Sequence, residues 1–391
     1  MLRPVKRAIV IGAGPIGIDA ALALAERGLE VTVLEAAVVG GSLLDWGPTR
    51  LFSPLSMNVS ARARALLGDG APAADALLSG PEMVARVLDP LARSAPLQGR
   101  VRLGHRVLSV GRARMRRDEL PGHPLRAERP FRLLTATAGG EAVFEAEVVL
   151  DASGVYGQPL ALGAGGVAAP GERALGDRII RQLGTLHRRR DGLAGRHVMV
   201  VGSGHSAAHA VTLLAELRAT APATQLTWVT RTAHARPVVE VAADPLPERA
   251  QVVRRANAIA AAPPPGVTVE RRAQVEAIRP AADGSLCVTL TGARRLVVDE
   301  LVALTGYRPD LSILSELALE LAPAGEGAAR LGRALAGVTD CLLAPSVSAR
   351  DLESGEPGFA LVGHKSYGRS RAFLLQTAME QVETIVAALS L

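Results

Sequence analysis

Three glycines in the pattern Gly12-x-Gly14-x-x-Gly17 stand between a short apolar run and a stretch with helical periodicity. That spacing suits a loop that cradles the pyrophosphate of a dinucleotide. Gly12 makes the tight turn, Gly14 lets phosphate approach the backbone, and Gly17 lets helix and strand pack closely, with Pro15 and Ile16 between them among the expected cofactor contacts. The first amides of the helix and its positive dipole end would face the phosphates. Glu35 lies 18 residues after Gly17, at the end of the next apolar run, where it can accept hydrogen bonds from ribose hydroxyls. A phosphate on that ribose would be repelled, so the loop suits FAD or NAD and not NADP. A second loop, Gly202-Ser203-Gly204-His205-Ser206-Ala207, begins 190 residues later. Alanine at its last position is allowed by the same fingerprint. Its following strand ends in Arg231, with Arg236 five residues on. Guanidinium groups there suit a 2′-phosphate, so this loop is assigned to NADPH, with NADH as the alternative.

The elements around both loops repeat one plan. Ala8–Ile11 reads as a buried parallel strand, Ile16–Arg27 as a helix stopped by Gly28, and Glu30–Leu34 as a second strand. His197–Val201, a helix from about Ala208 to Arg218, and Leu226–Thr230 form the second such unit. Between them, Ser79–Leu91 reads as helical, and Arg102–Val110, Phe131–Thr137 and Ala142–Leu150 read as strands of a meander. Residues 111–130 are charged and carry Pro121, Gly122 and Pro124, which marks a loop. Val267–Arg271, Leu286–Thr291, Arg295–Val298 and Leu301–Leu304 read as a second meander, and Ser370–Leu391 as a final helix.

Composition sets bounds on this reading. The chain has 391 residues, 48% hydrophobic and 21% charged, enough for two or three cored domains. No apolar run reaches a membrane span's length of about 18 residues. The apolar run after Met1–Arg7 breaks at Gly12, too early for a secretory signal, and a cytoplasmic location is expected. Net charge is +6, carried by scattered arginines; Lys6 and Lys365 are the only lysines. The one tight run, Arg188–Arg190, ends in Asp191 and reads as a solvated turn, so no nucleic-acid partner is expected. Cys287 and Cys341 stand 54 positions apart, which excludes a Cys-x-x-Cys redox pair and a zinc cluster. No metal is expected.

At this point the chain resembles the flavoproteins with two dinucleotide-binding domains, a group that includes flavin-containing monooxygenases and thioredoxin-reductase-like enzymes. Val148-Val-Leu-Asp-Ala-Ser153-Gly154 resembles the segment that leaves the FAD domain. Asp299-Glu-Leu-Val-Ala-Leu-Thr305-Gly306-Tyr307-Arg308-Pro309 resembles the segment that returns to it. The resemblance implies an α/β fold of two Rossmann-like, three-layer domains, each with a β-meander. The NAD(P)H domain (161–304) would be inserted into a discontinuous FAD domain (1–160 and 305–391). It further implies that Gly41, Ser42 and Trp46 approach the flavin and that Val107 touches adenine through its backbone. Gly363, His364 and Lys365 would occupy the C-terminal flavin segment. An aspartate usually follows that glycine; here His364 and Lys365 stand instead.

For catalysis the candidates are His364, Lys365 and Trp46, with Lys365 placed to offset charge on reduced flavin. Arg50, counted among the cofactor contacts, and Ser53 are candidates to line a substrate pocket. Seven aromatics (Trp46, Phe52, Tyr156, Tyr307, Phe359, Tyr367 and Phe373) fall in segments given to the flavin or the crossovers. Lacking an internal dithiol, the flavin must pass electrons to oxygen or to a bound acceptor. The expected activity is therefore a monooxygenase acting on a small molecule through a hydroperoxyflavin. The alternative is an NAD(P)H-dependent reductase or oxidase using a quinone or similar acceptor, and a third reading is a degenerate flavin-binding redox sensor. The monooxygenase fingerprint Phe-x-Gly-x-x-x-His is not intact; Leu183-Gly184-Thr185-Leu186-His187 has other spacing. The substrate and the oligomeric state are not legible.

Overall fold

A computed structural model describes residues 6–338 and 340–389. The chain divides into two compact units. Unit one holds the residues up to 44, 53–158 and those from 307 on; unit two holds 45–52 and 159–306. The strands of the first half are β1 (Arg7–Ile11), β2 (Glu30–Leu34), β3 (Val101–Arg102), β4 (Arg106–Arg112), β5 (Phe131–Thr137), β6 (Gly140–Ala146) and β7 (Val148–Asp151). There follow β8 (Ile179–Ile180), β9 (His197–Val201), β10 (Gln225–Val229), β11 (Val267–Glu270), β12 (Val275–Pro280), β13 (Leu286–Leu290), β14 (Arg294–Val298), β15 (Glu300–Ala303) and β16 (Phe359–Leu361). The helices used below are α1 (Pro15–Glu26), α2 (Leu183–Arg189), α3 (His205–Thr220), α4 (Pro247–Ala261) and α5 (Leu375–Ala388).

Unit one is built on a parallel sheet in the order β16-β7-β1-β2-β3, unit two on a parallel sheet in the order β11-β10-β9-β15-β8. Continuous apolar runs form the central strands because both sheet faces are covered: Ala8–Ile11 and Val198–Val201 are buried throughout. Helix α1 starts with Pro15 at its first turn and buries Ile16 through Leu24. Gly28, at φ +79°, lets the chain turn back into β2. Helix α5 packs on α1 and buries Ala378, Val382 and Ile385. Each unit adds a three-stranded antiparallel sheet, β4-β5-β6 or β12-β13-β14.

Several sequence expectations need correction. The stretch 142–150 is two strands in two sheets. At Glu147 the chain leaves β5 and joins β1, held there by Arg7, whose amide and guanidinium both bond the Glu147 carboxylate at 2.8 Å. The stretch 102–110 breaks at Gly104, φ +68°, so β3 extends the parallel sheet and β4 starts the meander. In the second meander, residues 267–271 and 301–304 belong instead to the parallel sheet as β11 and β15. Its true first strand, β12, was hidden by charges and Pro280. Helix α4 has no apolar signature in the sequence, since its arginine-rich stretch buries little more than Val253, Ala256, Asn257 and Ala260 around Arg249. The 79–91 helix contains a π-turn, Val84–Leu88, beside Pro90, which has no amide hydrogen to donate. The last helix starts at Leu375 rather than Ser370. Its expected final residues, and the chain start up to residue 5, lie outside the described residues.

Candidate nucleotide-binding sites

In unit one the three glycines divide their labour. Gly12, at φ +97°, donates its amide to Leu34 O at 2.8 Å. A Cβ on Gly17 would lie 2.0 Å from Gly12 O, so only glycine lets α1 approach the strand end. A Cβ on Gly14 would meet no atom within 4 Å. Gly14 therefore leaves open space above the loop, which fits a pyrophosphate bound against the backbone. Glu35 directly follows β2, and its carboxylate accepts from Ala13 N and Ala37 N, each at 2.8 Å. It thus ties the chain after β2 to the glycine loop. Gly40, at φ +64°, donates to Ala13 O and leads into the one-turn helix of Gly41, Ser42, Leu43 and Leu44. Val107 is buried on β4.

A fully buried ion pair lies at the end of β7. Lys365 Nζ sits 2.6 Å from Asp151 Oδ2 and donates at 2.9 Å to Ser153 Oγ. Neither charged side chain is exposed to solvent at all. Ser153 donates its hydroxyl (2.6 Å) and amide (3.0 Å) to Asp151 Oδ1. Ala152 and Ser153 also wall the first loop, 2.9–3.0 Å from where a Cβ on Gly12 would stand. Gly363, at φ +66°, passes the chain close to Ile16 and delivers Lys365 to this point. Asp151 belongs to the crossover motif, and its signal in the sequence is a carboxylate ending an apolar strand. His364 stacks face to face on Phe373, ring centres 4.6 Å apart. Burial pushes its imidazole down to about 4, so it is neutral. Lys365 is thus engaged with Asp151, and His364 with Phe373.

Unit two repeats the cradle. Gly202, at φ +138°, would clash with Leu304 O, 2.3 Å from a Cβ, and its carbonyl accepts from Trp228 Nε1 at 2.8 Å. Gly204, like Gly14, has nothing within 4 Å of a Cβ position. His205 and Ser206 open α3 and are exposed, whereas Ala207 is fully buried beneath them. Arg231 is exposed just beyond β10, and exposed Arg236 pairs with Glu240 at 3.8 Å. Gly306, φ +95°, accepts at its carbonyl from Leu160 N at 2.9 Å.

The strap Asp45–Phe52, which carries Trp46 and Arg50, groups with unit two and not with the first loop. The reason is local. A Cβ on Gly184, in α2, would lie 2.1 Å from Asp45 O, so two backbones touch where only glycine fits. Thr49 Oγ1 lies 3.4 Å from His187 Nε2. The Phe52 ring stacks on His209 at 5.3 Å and meets His205 edge-on at 5.5 Å. Burial, aided by His187 and His205, lowers His209 to about 4.

A family profile described as pyridine nucleotide-disulphide oxidoreductase matches residues 62–329, and a second profile of the same description matches residues 9–66. The chain belongs to this family. Membership supports FAD and NADPH as its cofactor pair and an oxidoreductase activity. No curated protein sequence matches the chain. Among solved structures it resembles a bacillithiol disulfide reductase from Bacillus cereus (18% identity, TM-score 0.68, 98% of each chain covered). It also resembles an ornithine N-hydroxylase from Kutzneria sp. 744 (17%, 0.66, 98% of this chain and 99% of that one). A flavin monooxygenase from Stenotrophomonas maltophilia is similar at 20% identity (0.63, 98% and 97%). At these identities the likeness concerns the fold, which has the mixed α/β, doubly nucleotide-binding form expected from the sequence. Among the described residues no group of His, Cys, Asp and Glu could hold a metal ion, and no helix is long and apolar enough to cross a membrane. Cys287 and Cys341 form no disulfide; one lies in unit two, the other in unit one.

Proposed function

We propose that this family member is an FAD-dependent, NADPH-using monooxygenase that oxygenates a small molecule. The observation that carries the reading is two glycine cradles without a dithiol to serve them. Gly14 and Gly204 each leave open space, while Cys287 and Cys341 fall in different units. FAD belongs on the first loop and NADPH on the second, because an acid, Glu35, follows β2 and a base, Arg231, follows β10. When bound, the flavin supplies the electron transfer and the oxygen chemistry. The chain's own part is to seat the pyrophosphate on Gly12–Gly17, to hold the Ser153–Gly154 turn through Asp151 and Lys365, and to orient NADPH on Gly202–Ala207. A second reading, a reductase of an external disulfide or other small acceptor, is favoured by the family's description and by the likeness to the bacillithiol disulfide reductase.

Stopped-flow spectroscopy separates the two. The flavin-loaded protein is reduced with NADPH without oxygen and then mixed with oxygenated buffer. A long-lived absorbing species distinct from oxidised and reduced flavin, with or without a candidate substrate, is expected. Immediate return to oxidised flavin with peroxide release under both conditions, combined with turnover of disulfides or quinones, would overturn the monooxygenase reading. Protein that stays colourless after incubation with FAD would overturn both.

A further inference from the structure

The ends of β10 and β11 bring four arginines to one edge of unit two: Arg231, Arg236, Arg271 and Arg272. We infer that Arg272 joins Arg231 in holding the 2′-phosphate of NADPH, so that Arg272, on the neighbouring strand end, sets the preference for NADPH over NADH. This rests on the reading of the second loop as the NADPH site.

Strands β10 and β11 run parallel and end side by side, Val229 opposite Glu270. The chain beyond them stays paired. Thr230 N donates to Glu270 O at 2.8 Å, Arg272 N to Thr232 O at 3.2 Å and Ala273 N to Thr230 O at 3.0 Å. Arg231 therefore stands one residue from the backbone bond that holds Arg272. The same strand end meets the glycine loop, because Gly202 N donates to Val229 O at 3.2 Å. A dinucleotide whose pyrophosphate lies on the open side of Gly204 carries its adenosine ribose over the end of β10.

The four guanidinium groups are not equally available. Arg271 is spent on carbonyls: it donates to His234 O at 3.3 Å and to Ala260 O at 2.5 Å, and so fastens the loop after β10 to α4. Arg236 faces Glu240 at 3.8 Å. Arg231 and Arg272 are exposed and pair with no carboxylate among the described residues. The acids nearby are already engaged, Glu270 by Arg294, Glu240 by Asn257 at 2.8 Å and Asp244 by Arg249 at 2.7 Å. Two unneutralised guanidinium groups on adjoining strand ends attract a dianion, and each can fork onto two of its oxygens. Arg272 also holds a backbone that disfavours it, with φ at +50° in the left-handed region. Glycine would sit there at no steric cost, so an arginine in its place points to a use for the side chain.

The test is isothermal titration calorimetry of NADP+ and of NAD+ into the flavin-loaded protein at about pH 8, where the 2′-phosphate is a dianion. The wild type should bind NADP+ the more tightly. Arg272→Gln should weaken NADP+ by about tenfold or more, the worth of a charge-assisted hydrogen bond, and leave NAD+ within about twofold. Arg272→Lys, which keeps the charge without the fork, should fall between. Arg272→Gly, suited to φ +50°, should show the same loss as Arg272→Gln, which separates the guanidinium from the backbone that carries it. Arg255→Gln on α4, an exposed arginine beside Glu216, removes the same net charge and should leave both affinities within about twofold. A wild type that does not distinguish NADP+ from NAD+, or an Arg272→Gln protein that weakens both alike or neither, would overturn the inference and leave the dinucleotide site standing. A wild type that binds neither would overturn the site and the inference together.

Discussion

Lys365→Met is the sharpest probe of unit one. It would leave the Asp151 carboxylate in a place with no solvent exposure, with only the Ser153 hydroxyl and amide to satisfy it. Breaking a buried pair from one side costs about 3–5 kcal/mol, because the remaining charge is uncompensated. For a unit of this size that is a fall of about 6–20 °C in melting temperature. The second variant, Asp151→Asn with Lys365→Met, removes the charge and keeps an oxygen for Ser153 to donate to. It leaves one amide hydrogen pair unsatisfied, a cost of about 1–3 kcal/mol. The double variant should therefore be more stable than the single one, although it carries one more change. Thermal melts followed by circular dichroism, with flavin release recorded in parallel, give both numbers. A single variant that loses less than about 1 kcal/mol, or a double variant no better than the single, would refute the claim that this pair is a buried charge whose balance matters.

Three further outcomes follow from other sites. Gly14→Ala should fold with unchanged stability and lose flavin, whereas Gly17→Ala, with its Cβ 2.0 Å from Gly12 O, should lower the melting temperature as well; flavin absorbance and melting curves distinguish them. His209 is held neutral in the fold at about 4, against an ordinary 6.5. An unfolded chain therefore binds its proton first. Stability is complete above about pH 6.5 and declines toward pH 4 by on the order of 3 kcal/mol, a slope that His209→Leu should flatten in urea titrations. Burial pushes the Glu356 carboxyl up, but hydrogen bonds from Arg126 and Arg112 hold it below its usual value. Its contribution is present above the ordinary carboxylate range and is lost as pH falls through the depressed value. Glu356→Gln should lower the neutral-pH melting temperature and weaken that acid dependence.

The cradles were legible because glycine spacing is a backbone requirement, and close approach at Gly17 and Gly202 admits nothing larger. The flanking strands were legible because parallel strands buried on both faces read as unbroken apolar runs. What escaped was set by tertiary contact. Nothing local says that Asp151 will find Lys365, 214 residues away, or that Gly47 will meet Gly184 and draw Trp46 and Phe52 to unit two. Helix α4 hid because arginines cover its solvent side, and Arg249 reads as surface although Asp244 lets it be buried. The 142–150 stretch read as one strand because no glycine or proline marks its change of sheet at Glu147, where the pairing partner changes.

The sheet order of unit one also dictates how the chain can be assembled during synthesis. Its edge strand β16 pairs with β7, Phe359 beside Val149, across more than 200 intervening residues. Every strand of unit two, by contrast, lies between residues 179 and 303, and its strap is made earlier still. A ribosome therefore delivers a complete second unit while β7 is still an open edge. Closing that edge spans the long loop that slows folding most. The buried Lys365–Asp151 bond forms only then, so the first cradle is walled last.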